Sequence, residues 1–179
     1  MSVEMTKWFA RKFPYAPPAG EFPMIVERLR GTPARVEAKL AVTPPDILTR
    51  RIGEVWSIQE NVGHLVDLEP LWTGRLDELL TGQEVLREAD LSNQATYDAG
   101  HNDRAIEEIV AEFRRVRADF VRRLDALSND DIVRTALHPR LKQPMRTVDL
   151  CLFVAEHDDH HLTMITNLWR TLAPGPPDS

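Results

Sequence analysis

The sequence predicts an all-α protein, a four-helix bundle preceded by an irregular N-terminal arm. Four stretches, each roughly 20 residues long, repeat apolar residues with helical spacing. No stretch shows the sustained alternation of apolar and polar residues that is typical of a half-buried strand. The apolar run VDLCLFVA (residues 148–155) lies inside a longer periodic stretch and is therefore interpreted as helix. A chain of 179 residues is long enough for one domain with a full core.

Prolines and aromatic residues predict the structure of the arm and the bounds of the first helix. Residues 1–21 contain three prolines and a glycine, which predict irregular backbone. Its aromatic residues suggest that the arm packs onto the domain: Trp8, Phe9, Phe13 and Tyr15. The first helix is predicted from Phe22 to about Val42, where Thr43-Pro44-Pro45 ends it. Gly31-Thr32-Pro33 should kink or split it, because a proline inside a helix removes a hydrogen bond.

The second helix has the clearest start. Ser57-Ile58-Gln59-Glu60 is a capping box, in which the serine hydroxyl and the glutamate carboxylate each accept from the other residue's backbone N–H. The helix is predicted to continue to about Leu80, where Thr81-Gly82 stops it. Residues 82–102 then form a long polar connection, and such loops in compact domains often carry function.

The third helix is predicted to start at Asn102 or Asp103, either of which can cap it, and to continue to about Leu127. Residues 128–146 contain His138-Pro139 and Gln143-Pro144 and are interpreted as an irregular connection.

Thr147 is expected to cap the last helix, which continues to about Thr171. The domain therefore comprises residues 22–172. Residues 173–179 are rich in proline and are expected to form a flexible tail.

Charge limits the classes of partner. The formal net charge is −6, whereas binding to a phosphate backbone needs clustered lysine and arginine, so no nucleic-acid partner is expected. The third helix does hold an arginine cluster, but acidic residues alternate with it and we interpret it as a solvated helix face. Its members are Arg114, Arg115, Arg117, Arg122 and Arg123.

Cysteine content and hydropathy indicate the compartment. Cys151 is the only cysteine, so no intramolecular disulfide can form, and it is interpreted as a buried apolar residue. The first residues lack the apolar segment of a signal peptide. No apolar run approaches the roughly 20 residues of a membrane span. We therefore expect a cytoplasmic protein with no membrane partner.

Histidine spacing is the strongest functional signal. His157 and His161 are spaced i, i+4, so on a helix both imidazoles leave the same face one turn apart. Both fall in the middle of the apolar stripe, where a buried imidazole without a partner is costly. A metal ion offers compensation, because each neutral imidazole gives it a lone pair. His64, at the edge of the core face of the second helix, could complete a three-histidine site.

Three imidazoles leave a coordination position open, which is typical of catalytic metal sites. The alternative is that these are core histidines bonded to carboxylates or backbone. The pattern is not the H-E-x-x-H of zincins, since no glutamate follows His157. His160 is a candidate ligand, ligand partner or proton shuttle, and Glu60 is a ligand partner or only part of the capping box. His101 and His138 lie in connections and are expected to be exposed to solvent.

Two motifs together resemble the DinB-like (YfiT-like) superfamily of four-helix-bundle metalloproteins. They are Trp56-Ser57-x-x-Glu60-x-x-x-His64-Leu65 and His157-x-x-His160-His161, and the segment from His138 to Met145 adds to the likeness. The resemblance covers about residues 22–172. It implies an up-down-down-up bundle with a divalent transition metal, nickel or zinc, whose ligands are His64, His157 and His161.

Relatives of known activity are thiol-dependent S-transferases and isomerases that use low-molecular-weight thiols, and several are dimers. The resemblance thus implies a metal-dependent S-transferase or hydrolase that attacks a small electrophilic substrate, and a homodimer. The connections 82–102 and 128–146 would roof the open coordination side, and Arg140 is a candidate for binding a substrate carboxylate.

Two alternatives of other classes stay open. One is a non-catalytic stress-response or binding module whose metal is structural or absent. The other is a scaffold with a dimer face made by Trp8, Phe9 and Trp169.

Overall fold

A computed structural model describes residues 4–13 and 16–173, and it confirms the helical bundle. The helices are α1 (Phe22–Leu40), α2 (Ile58–Asp67), α3 (Glu69–Leu80), α4 (Gln94–Asp98), α5 (Ile106–Asp125), α6 (Asn129–Ile132) and α7 (Thr147–Leu172). Two antiparallel strands, β1 (Thr135–His138) and β2 (Gln143–Arg146), form a hairpin before α7. The long helical segments α1, α2 with α3, α5 and α7 enclose the core, and α1 and α2 each pack against both α5 and α7.

The first helix is not split, because α1 continues through Pro33. Proline has no N–H to donate to the carbonyl of Leu29, four residues earlier. The guanidinium of Arg117 on α5 takes over that contact, with Nη1 3.4 Å from the Leu29 oxygen. A residue from another helix thus offsets part of the lost bond.

The second helix begins as predicted but is divided in two. Ser57 Oγ accepts from the Glu60 N–H at 3.1 Å, and the Glu60 carboxylate accepts from the Ser57 N–H at 2.8 Å, which completes the capping box. The break comes at Leu68, between α2 and α3. Pro70 lies in the first turn of α3, where a missing N–H costs nothing, whereas a continuous helix would lose a bond there.

The predicted caps of the last two long helices are wrong. α5 begins at Ile106, and Asn102 instead accepts a hydrogen bond from the Ser57 hydroxyl at 2.7 Å. Thr147 is the first residue of α7 rather than its cap. The Asp149 carboxylate accepts from the Arg146 N–H at 2.8 Å and so closes the start of that helix.

The interpretation of residues 128–146 as irregular is also wrong, because they contain α6 and the hairpin. Strands of four residues are too short to show alternation in the sequence. The outer edge of the hairpin holds the long connection: Leu137 donates its N–H to the carbonyl of Glu84 and accepts from the N–H of Leu86. The two predicted connections are therefore joined to each other.

The arginine face of α5 is solvated except at Arg117, where our interpretation is wrong. Arg117 is 1% exposed and forms ion pairs with Glu69 on α3 and Asp158 on α7. The Thr32 hydroxyl of α1 also donates to Asp158, at 2.7 Å. This buried network connects α1, α3, α5 and α7.

The N-terminal arm packs through aromatic rings onto α7, as expected. The Trp8 ring lies 5.1 Å from that of Phe153, and the Phe13 ring lies 5.0 Å from both. Tyr15 and residues 174–179 of the predicted tail lie outside the described residues. In the described ranges, no helix has the length and apolar character needed to cross a membrane.

Candidate metal site

His64 on α2 and His157 and His161 on α7 converge in the core of the bundle. Their ring centroids are 4.5 to 5.3 Å apart. One nitrogen from each ring lies within 4.8 Å of the other two. The three residues are 3%, 5% and 7% exposed, respectively. Three imidazoles at this spacing could hold one transition metal ion.

Asn61 orients the ring of His161. Its amide NH₂ donates to the carbonyls of Trp56 and Ser57, at 3.3 and 2.8 Å. The amide oxygen is therefore the atom that faces His161 Nδ1, at 2.8 Å. Because that oxygen can only accept, Nδ1 carries the proton and Nε2 keeps its lone pair, which is the form that a metal ligand needs.

The other two rings differ in their partners. Nδ1 of His64 lies 2.9 Å from the hydroxyl of Thr96 on α4. Nδ1 of His157 is buried and has no hydrogen-bond partner among the described residues. A buried nitrogen without a partner costs free energy, and coordination through it would remove that cost. The residues present therefore fit a metal ion.

Burial keeps the cluster neutral. Desolvation lowers the pKa of His64 to about 4. Desolvation, reinforced by the neighbouring histidines, also lowers the pKa of His157 and of His161 well below its ordinary value. All three imidazoles therefore have a lone pair available near pH 7.

A cavity of about 580 Å³ opens over the cluster, a size that suits a small organic molecule. Its apolar wall includes Trp8, Trp56, Leu68, Leu71, Trp72, Phe153 and Met164. Both connections that we expected to roof the site contribute to it: Leu91, Asn93 and Tyr97 from the first, and His138, Pro139 and Arg140 from the second.

Of the remaining predicted site residues, His160 and Arg140 line the cavity and Glu60 does not. His160 is half-buried in the cavity wall, with its ring 5.4 Å from that of His161. Arg140 also lines the cavity, and its guanidinium carbon lies 5.3 Å from the centre of the Phe9 ring. Glu60 is not part of the lining; it pairs with Arg51, and the capping box accounts for its other bonds.

The expected exposure of His101 and His138 is wrong, because both are buried. His101 packs against α2 at Gly63, and its Nε2 lies 2.8 Å from an Asp67 oxygen. His138 lines the cavity. Local spacing could not reveal this, since both residues are in connections whose paths depend on distant contacts.

Two orienting residues were not predicted as part of the site. Asn61 precedes His64 by three positions, so helical spacing puts the two side chains on one face, and this was a usable signal. Thr96 comes from the long connection, and no pattern in the sequence distinguishes it.

Comparison with known proteins supports the family and the fold. The family model of the DinB superfamily matches residues 28–165. YfiT from Bacillus subtilis, described as a probable metal-dependent hydrolase with an unusual four-helix bundle topology, has a TM-score of 0.76 and 21% identity, covering 92% of this chain and 95% of its own. A Streptococcus pneumoniae protein has a TM-score of 0.64 and 13% identity, covering 90% and 95%. The comparison with curated proteins gave no match.

One further structure corrects our expectation about partners. The colibactin self-resistance protein ClbS, solved in complex with dsDNA, has a TM-score of 0.67 and 14% identity, covering 88% of this chain and 100% of its own. We were wrong to exclude nucleic acid, because a protein of this fold binds it. Net charge averages over a whole surface, whereas a phosphate contact depends on local charge.

Proposed function

Because this chain belongs to the DinB superfamily, we propose that it is a metal-dependent enzyme that activates a thiol or water for attack on a small electrophilic substrate. The observation that carries the proposal is the convergence of His64, His157 and His161 at the base of a cavity of about 580 Å³. A metal held only for stability would not need a cavity above it.

The ligand set suits a transition metal such as zinc or nickel, since both accept neutral imidazoles. With no anionic ligand among the three, a dication held by these histidines would keep most of its charge and would lower the pKa of a thiol or water, which would supply a nucleophile near pH 7. Asn61 keeps Nε2 of His161 unprotonated, and Thr96 holds the ring of His64. These two bonds fix the rings before substrate arrives.

The surrounding residues exclude water and position the substrate. Trp56, Trp72 and Phe153 provide an apolar wall beside the histidines. In our proposal, half-buried His160 moves protons between the reacting group and solvent, because it lies between the cluster and the arm. Arg140, which also lines the cavity, attracts acidic substrates.

The test is turnover by metal-loaded protein. We expect conjugation of cysteine or glutathione to 1-chloro-2,4-dinitrobenzene, or hydrolysis of 4-nitrophenyl acetate, to depend on added zinc or nickel. His157→Ala should abolish turnover, whereas Thr163→Ala, at an exposed position of the same helix, should not change it. If His157→Ala retains turnover, the metal-enzyme proposal fails. If metal binds but no thiol or ester reacts, the non-catalytic binding module is favoured.

A further inference from the structure

A second polar pair lies in the same cavity, on the far side of an aromatic ring from the histidine cluster. Arg75 on α3 and His138 at the end of β1 both line the cavity and are 2% and 1% exposed. The Trp72 ring lies 5.6 Å from that of His157 and 5.8 Å from the guanidinium carbon of Arg75. The pair is therefore within reach of a small ligand that also reaches the cluster.

The hairpin fixes the tautomer of His138. Its Nδ1 faces the backbone N–H groups of Arg140 and Leu141, each at 3.2 Å. An N–H can only donate, so Nδ1 must be the unprotonated nitrogen that accepts. The opposite tautomer would set an N–H against two others.

His138 is neutral near pH 7, because desolvation and the nearby charge of Arg75 lower its pKa to about 4. A neutral imidazole has one N–H, which must then be on Nε2.

This assignment places two donors side by side. Nε2 of His138 lies 3.2 Å from Nη1 of Arg75. A guanidinium has no acceptor, so the two N–H groups cannot bond to each other, but both can bond to one oxygen beside them. Nε and Nη2 of Arg75 both donate to the carbonyl of Arg87, at 3.2 and 3.0 Å, which fixes the plane of the guanidinium.

We propose that Arg75 and His138 form a subsite for a carboxylate of the ligand that occupies the cavity. A carboxylate suits it because it is acceptor-only and is bound most strongly by a charged donor. The acidic residues of the lining, Glu54, Glu88 and Asp90, are exposed and so do not share this buried wall. The inference rests on the proposed function, since the carboxylate belongs to either the electrophile or the thiol used there.

Matched ligand pairs test this subsite by calorimetry. 3-Phenylpropionate and its amide represent the electrophile, and 3-mercaptopropionate and its amide represent the thiol. We expect the carboxylate of at least one pair to bind tenfold or more tightly than its amide, about the value of one charge-assisted hydrogen bond. The pair that shows the preference identifies whether the bound carboxylate belongs to the electrophile or to the thiol. Equal affinities within both pairs overturn the proposal without any variant.

Two substitutions of His138 distinguish its role as a donor to the ligand from its role as an acceptor for the backbone of the hairpin. In His138→Asn, the amide oxygen can take the place of Nδ1, so the hairpin keeps its acceptor while the subsite loses its donor. In His138→Gln, the amide N–H can take the place of Nε2. The carboxylate preference should be lost in the first and kept in the second, with Arg134→Gln, at an exposed arginine, as the control. An unchanged preference in folded His138→Asn contradicts the proposal.

Metal content is measured on the same samples, so that the two proposals can fail separately. A carboxylate preference in protein that binds no metal supports the subsite and refutes the metal enzyme. Metal-dependent turnover without any carboxylate preference supports the metal enzyme and refutes the subsite.

Discussion

Two of the three candidate ligand histidines are oriented by hydrogen-bond partners, and those partners come from different parts of the chain. Asn61 is on α2 beside His64, yet it bonds His161 on α7. Thr96 reaches His64 from α4. The pairing of His157 with His161 could be predicted from helical spacing, because spacing determines which side chains share a face. The partners could be predicted only where they also lie on a helix, since the sequence does not show where a connection crosses.

Asn61→Ala should weaken metal binding without unfolding the protein. It removes the amide oxygen that holds His161 in the ligand tautomer, and loss of such a bond typically costs about 10- to 100-fold in metal affinity. A zinc titration against a competing chelator measures the change. Asn167→Ala, at an exposed position of α7, is the control. Equal zinc affinity in both variants would show that Asn61 does not orient the ligand.

At the scale of elements, the two helical prolines show what sequence patterns cannot settle. Pro33 leaves α1 intact, whereas Pro70 coincides with a break. The difference is that Arg117 reaches the carbonyl that Pro33 leaves without a donor. That arginine lies on another helix, 88 positions from Leu29, so no local pattern reports it. The start of α2 was easier to predict, since its capping box is entirely local.

Substitution of three helical glycines by alanine should change the free energy of unfolding by different amounts. A Cβ at Gly63 would overlap the buried ring of His101, and we expect a loss of about 1–3 kcal/mol in the free energy of unfolding. At Gly74 it would meet only the mobile end of Arg87, so a smaller effect is expected. At Gly31 nothing lies within 4 Å, and better helix propensity should add up to about 1 kcal/mol. Urea denaturation measures the series, and a stabilising Gly63→Ala would contradict the packing of His101.

At the scale of the molecule, one buried arginine links the bundle. Arg117 contacts the Leu29 carbonyl on α1, Glu69 on α3 and Asp158 on α7. Composition suggested a solvated face because four of the five arginines in that stretch do face outward or lie near the surface. The exception is visible only when the helices are assembled.

Arg117→Met should destabilise the whole fold by about 3–5 kcal/mol, because it leaves two buried carboxylates without their cation. Arg122→Met, on the exposed side of the same helix, should change the free energy of unfolding by less than about 0.5 kcal/mol. Both values come from urea denaturation. Similar effects of the two substitutions would mean that the network contributes little.

The metal-free protein should lose stability as the pH falls from 6.5 to 5. The pKa of His64 and of His138 is lowered to about 4 in the folded state, against 6.5 when unfolded. In that window the unfolded chain binds more protons, so lowering the pH favours unfolding, by up to about 1.4 kcal/mol per pH unit for each histidine. Denaturation in EDTA measures the slope, and His138→Gln should reduce it. A flat profile would contradict the neutral, buried histidines.

The most direct test of the account is the metal content of purified protein after incubation with zinc or nickel and removal of excess ion. We predict about one ion per chain in the wild type and a large loss in each of His64→Ala, His157→Ala and His161→Ala, with His101→Ala retaining the ion. Wild-type protein that takes up no metal, or three variants that bind it as well as the wild type, would contradict the claim that these imidazoles form a metal site.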